Sequence, residues 1–204
     1  MGYLDTQHST DTNTSNYWST KRIAQYALFV ALSMVLSFIE FPIIPGPQFS
    51  YLKYDPSGIV CLIAGYAYGP AAAAIVSILG FAPHILSNPL GSIIAISVSL
   101  GLSVTASFIY KKMRTKKGAL LSLIAGSIVS IAIAIIGNLI ITPLYLPQFT
   151  IADVASIIIP ILLPFNAAKI LLHIVLTVLI YKPCLLYTSP SPRDVEESRM
   201  PSSA

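Results

Sequence analysis

The run LPFNAAKILL, residues 163–172, decides how this chain is interpreted, because it places a lysine inside an apolar, helix-forming stretch. Lys169 is the only lysine or arginine in residues 151–181, and Asn166 precedes it by three residues. On a helix this spacing puts both side chains on one face. A charge at the centre of a membrane helix costs roughly 2.5–3.5 kcal/mol on insertion scales. We therefore expect the two side chains to form a polar ligand site that faces a cavity or a partner.

The composition predicts a membrane protein. Of the 204 residues, 55% are hydrophobic and only 10% are charged, whereas soluble domains carry about 25% charged residues. We expect one polytopic domain over residues 21–183. The net charge of +4 is attributed to membrane topology, so no nucleic-acid partner is expected.

The two ends of the sequence are treated separately. Residues 1–20 are polar and are predicted to form a disordered tail. Residues 184–204 begin with CLLYTSPSPRD, which resembles a translated sequencing adapter. We interpret this stretch as absent from the native protein; a genuine disordered tail is the alternative. Cys61 is then the single native cysteine, which excludes a disulfide framework.

Six hydrophobic segments predict an all-α membrane protein, a bundle of six transmembrane helices. The first segment covers about 23–41, the second begins at Pro56 behind an Asp55 N-cap and ends at Gly69, and the others cover about 71–85, 91–110, 119–141 and 164–181. Residues 151–159 are predicted to form a short interfacial helix. The stretch TPLYLP (142–147) is expected to end the fifth helix, and the three prolines in residues 42–47 exclude a helix there.

The distribution of lysine and arginine predicts the orientation. Cytoplasmic loops carry the excess of these residues. With both termini in the cytoplasm, the inner side holds Lys21, Arg22, Lys111, Lys112, Arg114, Lys116, Lys117 and Lys182, and the outer side holds Lys53 alone. The loops at 42–54, 86–90 and 142–150 then face outward. Asn166 and Lys169 are thereby placed in the outer half of the membrane.

The sequence contains no catalytic set and no metal-ligand spacing, so we expect neither an enzyme nor a metal site. It lacks a Gly-x-x-x-x-Gly-Lys-Ser/Thr loop and an acidic relay for proton coupling. It therefore cannot power transport with ATP by itself. Ala24, Ala27 and Ala31 would let another helix approach closely, although internal packing explains that spacing equally well. Asn138 is interpreted either as an interhelical hydrogen-bonding residue or as a ligand contact.

Taken together, several stretches resemble the substrate-binding S component of energy-coupling factor (ECF) vitamin transporters of the riboflavin type. They are Ala27 and Ala31 with FIEFP (38–42), LKYDPS (52–57), AGYAYGP (64–70), and Gly137-Asn138 with TPLY (142–145) and LPFNAAK (163–169). The likeness spans about residues 21–183. LKYD and PFNAAK are its more specific parts.

The resemblance implies a multi-pass protein of the bacterial cell membrane that holds its vitamin near the outer face. It implies that the residues at Asn138, Asn166 and Lys169 contact the flavin. It also implies that Ala24, Ala27 and Ala31 dock a membrane scaffold (T) subunit that couples to two cytoplasmic ATPases. Riboflavin is then a transported ligand, and no cofactor is expected.

The chemistry of these side chains suits a flavin. The pyrimidine-like edge of its ring alternates carbonyl acceptors with an N–H donor; asparagine offers both functions and lysine offers three donors. Apolar contacts to the ring are predicted for Phe41, Phe49, Leu52 and Tyr145.

Two alternatives remain open at this point. Gly58 stands where many riboflavin-type members carry an acid, so another small vitamin or a precursor is one alternative. A non-transport membrane scaffold is the other.

Overall fold

The structure, a computed structural model, describes residues 20–44, 46, 49 and 52–188, with the backbone alone for Lys21, Lys116, Tyr145 and residues 181–188. Within that part the helices are α1 (Thr20–Ser37), α2 (Ser57–Tyr68), α3 (Pro70–Gly80), α4 (His84–Ser87), α5 (Pro89–Met113), α6 (Lys116–Tyr145), α7 (Ile151–Ile157) and α8 (Leu163–Thr188). A π-helical turn, Ile158–Leu162, joins α7 to α8. Of the predicted tail at 1–20, only Thr20 is described. Of the stretch 184–204, residues 184–188 continue α8 and the rest lies outside the described residues.

The described chain is mostly helical, as predicted, but it also contains a small antiparallel sheet. Strands β1 (Phe41–Pro42) and β2 (Lys53–Tyr54) pair with Phe41 opposite Tyr54 and Pro42 opposite Lys53. The prediction of an all-α chain was wrong on this point. Two-residue strands are too short to show the period-two pattern by which strands are recognised in a sequence.

Three helical runs are long and apolar enough to cross a membrane: Pro89–Met113, Lys117–Leu144 and Ile151–Ile180. The shorter apolar helices are Arg22–Ser37, Ser57–Tyr68 and Pro70–Gly80. The 12 residues of α2 rise about 18 Å, against a hydrocarbon core of about 30 Å. Each predicted segment has a corresponding helix, while the count of six spans and the cytoplasmic termini stay predictions.

Several helix boundaries differ from those predicted. The helix α6 continues through Pro143 and ends at Tyr145, a few residues beyond the predicted end at about 141 but within the stretch 142–147 that was predicted to end it. A proline in the last turn removes only one backbone bond, and the helix tolerates the loss there. The predicted interfacial helix is α7, which a capping box of Thr150 and Asp153 begins. It runs on through the π-helical turn into α8.

Close helix packing holds the bundle together. Leu62, Leu102, Ala106, Leu123 and Ile170 form a buried cluster shared by α2, α5, α6 and α8. The helices α5 and α6 approach so closely that a Cβ on Gly126 would lie 2.7 Å from the carbonyl oxygen of Leu102. Large apolar side chains cover the outside of the helices, as expected of a surface that faces lipid.

Candidate ligand-binding site

A cavity of about 540 Å³ lies between the β1–β2 hairpin, α5, the end of α6 and the start of α8. This volume falls within the range of small-molecule sites. The charged and amide side chains that line it include Glu40, Lys53, Asp55, Asn138, Asn166 and Lys169. Leu52, Phe81 and Phe165 are among its apolar lining residues. Ten of the seventeen lining residues carry a polar or charged side chain, so the wall suits a ligand that combines several hydrogen-bonding groups with an apolar surface.

Lys169 reaches the cavity as one half of an ion pair. Its Nζ donates to Oδ2 of Asp55 at 2.9 Å, and the two side chains are 16% and 8% exposed. Asn166 is not the partner of Lys169, because its Nδ2 donates to the carbonyl oxygen of Leu162 at 2.8 Å. Lys169 was expected to face a cavity or a partner, and in the structure it does both: it lines the cavity and pairs with Asp55. The carboxylate explains how the helix tolerates a charge at this position.

Asp55 lies in the loop between β2 and α2. Its Oδ1 accepts hydrogen bonds from the backbone N–H of Ser57, at 3.3 Å, and from the Ser57 hydroxyl. The predicted N-cap role is displaced by one residue, since α2 begins at Ser57 and Pro56 occupies the cap. Burial is the largest single influence and raises the pKa of the Asp55 carboxyl, but the charge and hydrogen bond of Lys169, with smaller contributions from His173 and Ser57, together outweigh it and hold that pKa below its ordinary value. The group is therefore an anion at neutral pH.

His173 supports Asp55 from the next turn of α8. Its Nε2 lies 2.9 Å from the carbonyl oxygen of Asp55, and a carbonyl only accepts, so Nε2 carries the proton. The imidazole occupies the space beside Gly58, where a Cβ would lie 2.5 Å from its Cε1. The absence of a side chain at Gly58 is thus what lets His173 reach Asp55.

The two asparagines are held by their own helices. Nδ2 of Asn138 donates to the carbonyl oxygen of Ala134 at 2.8 Å, and Oδ1 accepts from Thr142 at 3.1 Å. Each amide uses one of its two N–H donors in this way, which leaves the second for a ligand. Asn138 and Asn166 are 7% and 5% exposed, so a ligand would meet them in fixed rotamers.

A second set of polar residues lies at the more exposed side of the cavity. Lys53 Nζ donates to Glu40 at 2.8 Å. His84 lies 4.0 Å from the other oxygen of Glu40 and 3.0 Å from the hydroxyl of Ser37. These contacts tie together the end of α1, the strand β2 and the helix α4.

The other predicted site residues are placed as follows. Leu52 lines the cavity. Phe41 is 46% exposed and its ring lies 5.0 Å from that of Tyr54, while Phe49 packs against the cluster around Leu52. Neither is among the residues that line the cavity. The side chain of Tyr145 lies outside the described residues.

The alanines Ala24, Ala27 and Ala31 are all exposed along α1, away from the cavity lining. Their docking role and the ligand contacts stay predictions. No group of three or more histidine, cysteine or acidic side chains is placed to hold a metal ion in the described part of the chain.

Asp55 lines the cavity and pairs with Lys169, but it was not among the candidate site residues predicted from the sequence. It lies 114 positions from Lys169, so no spacing rule connects the two. One signal was present, because a buried lysine needs a carboxylate and few acidic residues flank the apolar segments. The LKYD motif supplies one of them.

Comparisons with known proteins give a consistent result. The profile of the family "ECF transporter, substrate-specific component" matches residues 21–181. The chain is 31% identical over 175 residues to riboflavin transporter RibU of Staphylococcus aureus, with 82% of this chain and 92% of that protein covered. It is 31% identical to riboflavin transporter RibU of Streptococcus thermophilus (81% and 83% covered) and 26% identical to riboflavin transporter FmnP of Bacillus subtilis (73% and 84% covered).

A solved structure of the S component of a bacterial ECF transporter shares the fold. It matches with a TM-score of 0.70 at 29% sequence identity, covering 82% of this chain and 96% of that one.

Proposed function

This chain belongs to the family of ECF transporter substrate-specific components, and from that premise we propose that it captures riboflavin. It is a multi-pass membrane protein and a transport subunit rather than an enzyme. Three of its relatives are named riboflavin transporters. Riboflavin is taken from the outer face and delivered inward with ATP-driven partner subunits.

The observation that carries this proposal is the set of hydrogen-bond donors at one end of the cavity. Lys169 gives one of its three N–H donors to Asp55, so two remain for a ligand. Asn138 and Asn166 each add one free N–H to the same cavity. The flavin edge presents two carbonyl oxygens and an N–H group, which match donors and an amide oxygen. A ligand without that edge would leave buried groups unpaired at about 1–3 kcal/mol each.

The proposal extends to topology and partners. We place six helices across the bilayer, with both termini in the cytoplasm and the cavity toward the outside. The exposed Ala24, Ala27 and Ala31 dock a membrane scaffold (T) subunit, since small residues let a second helix approach closely. That subunit couples to two cytoplasmic ATPases. They supply the energy for transport, because this sequence has no phosphate-binding loop of its own.

Flavin titration of the purified full chain in detergent tests the ligand. We expect saturable quenching of riboflavin fluorescence at one flavin per chain. An excess of a vitamin without the flavin edge should not displace the bound riboflavin. Saturable binding of another vitamin with no riboflavin quenching would favour the alternative substrate. A Lys169→Met protein that binds every tested ligand as tightly as the wild type would favour a scaffold role.

A further inference from the structure

We propose that Asp55 is a positioning residue of this site, which fixes the ammonium of Lys169 so that its remaining donors meet an uncharged ligand. This inference rests on the proposed function and adds a residue to it. Asp55 acts through Lys169 and makes no contact with the flavin itself.

Lys169 would have considerable freedom without its partner. A lysine carries its charge on a flexible four-carbon stem. Among the described residues its Nζ has one hydrogen-bond acceptor, Oδ2 of Asp55 at 2.9 Å. Asp55 precedes α2, whereas Lys169 belongs to α8. This single contact therefore sets where the ammonium lies in the cavity.

Asp55 is itself held firmly by its neighbours. Its Oδ1 accepts from the backbone and the hydroxyl of Ser57, and its carbonyl oxygen is bonded to His173. Each carboxylate oxygen thus has a partner within the chain, and the residue is only 6% exposed. Little of Asp55 remains for a ligand to touch, so its effect passes through Lys169.

The charge of the pair also selects the kind of ligand. An unpaired ammonium in a low-dielectric cavity would attract an anion, and a second anion next to Asp55 would be repelled. The pair carries no net charge, yet it keeps two N–H donors on Lys169. Such a group suits neutral carbonyl oxygens. The pair therefore favours a carbonyl-rich ring over a carboxylate.

A double-mutant cycle in riboflavin affinity tests this inference. The proteins are the wild type, Asp55→Asn, Lys169→Met and the double variant, each titrated with riboflavin by fluorescence quenching. We expect each single variant to bind at least about tenfold more weakly. The double variant should bind within about twofold of Lys169→Met, because Asp55 has nothing left to position. An unchanged affinity for Asp55→Asn, or losses that multiply in the double variant, would overturn the inference.

Two further variants separate positioning from folding. Asp153→Asn makes the same change at an exposed carboxylate that caps α7 outside the cavity lining, and it should bind riboflavin as the wild type does. Asp55→Glu keeps the carboxylate and should recover part of the affinity that Asp55→Asn loses. A merely structural aspartate would show no such recovery, and that result would count against the inference.

If Asp55→Asn does not fold, Ser57→Ala tests the same chain of contacts. It should weaken riboflavin binding in the wild-type background and have no effect in Lys169→Met. An equal loss in both backgrounds, or none in the wild type, would contradict the inference. A wild type that does not bind riboflavin would instead overturn the proposed function, and the cycle would then be run with the vitamin that does bind.

Discussion

Two lysine–carboxylate pairs of nearly equal length lie at different depths of the same cavity. Lys53 and Glu40 are 2.8 Å apart, with side chains 48% and 33% exposed. Lys169 and Asp55 are 2.9 Å apart, with side chains 16% and 8% exposed. Distance does not distinguish the two pairs, whereas access to water does.

The difference teaches what each pair contributes. An exposed ion pair stabilises the fold by about 0–1 kcal/mol, because water screens the charges and both side chains lose conformational freedom. Breaking a buried pair costs about 3–5 kcal/mol, yet replacing both partners by apolar groups is often neutral. Stability alone therefore gives little reason for the Lys169–Asp55 pair. We attribute the presence of this pair to its role in ligand binding.

The largest expected effect comes from breaking the buried pair on one side. Lys169→Met leaves the Asp55 anion without its counter-ion and should lower the free energy of unfolding by about 3–5 kcal/mol. Thermal unfolding of the detergent-purified proteins measures this loss. Adding Asp55→Asn should recover most of it, since the uncompensated charge is then gone. A double variant less stable than Lys169→Met would contradict this description of the pair.

An intermediate effect is expected from crowding the buried pair rather than breaking it. Gly58→Ala would place a Cβ 2.5 Å from His173 and should push the imidazole off the Asp55 carbonyl. We expect the free energy of unfolding, measured by thermal unfolding, to fall by about 1–3 kcal/mol. Gly137→Ala is the matched control, because the nearest atom to its Cβ would lie at an ordinary 3.6 Å. Alanine is the better helix former by up to about 1 kcal/mol, so Gly137→Ala should be neutral or stabilising. A change in the free energy of unfolding that has the same sign for both variants would contradict the packing argument.

The smallest effect is expected at the exposed pair. Lys53→Met should change the free energy of unfolding by no more than about 1 kcal/mol. Whatever change occurs should shrink in high salt, which screens exposed charges. Unfolding measured at low and high ionic strength checks both statements. A salt-independent loss as large as that of Lys169→Met would mean that depth does not separate the pairs.

Much of the fold could be predicted because its signals are local. Apolar runs and the Gly69-Pro70 turn located the helices, and the lone charge of Lys169 predicted a cavity or a partner. The β1–β2 hairpin was missed because two-residue strands leave no pattern. The helix α6 runs a few residues beyond the predicted end at about 141, because a proline in its last turn removes only one backbone bond.

The site was less predictable because its main contact is not local. Asn138, Asn166, Lys169 and Leu52 were singled out, and the fold brings all four to one cavity. Asp55 was interpreted only as a helix cap, since 114 residues separate it from Lys169. The role of Gly58 depends on the imidazole of His173, which only the folded arrangement reveals.

The most direct test of the account is an experimental structure of the chain with riboflavin bound. We predict the ring in the cavity, with a ring carbonyl oxygen about 2.7–3.2 Å from the Nζ of Lys169 and with Lys169 still bonded to Asp55. The ring edge should also meet Asn138 and Asn166. A flavin bound elsewhere, or one in the cavity that contacts none of these three side chains, would contradict the account.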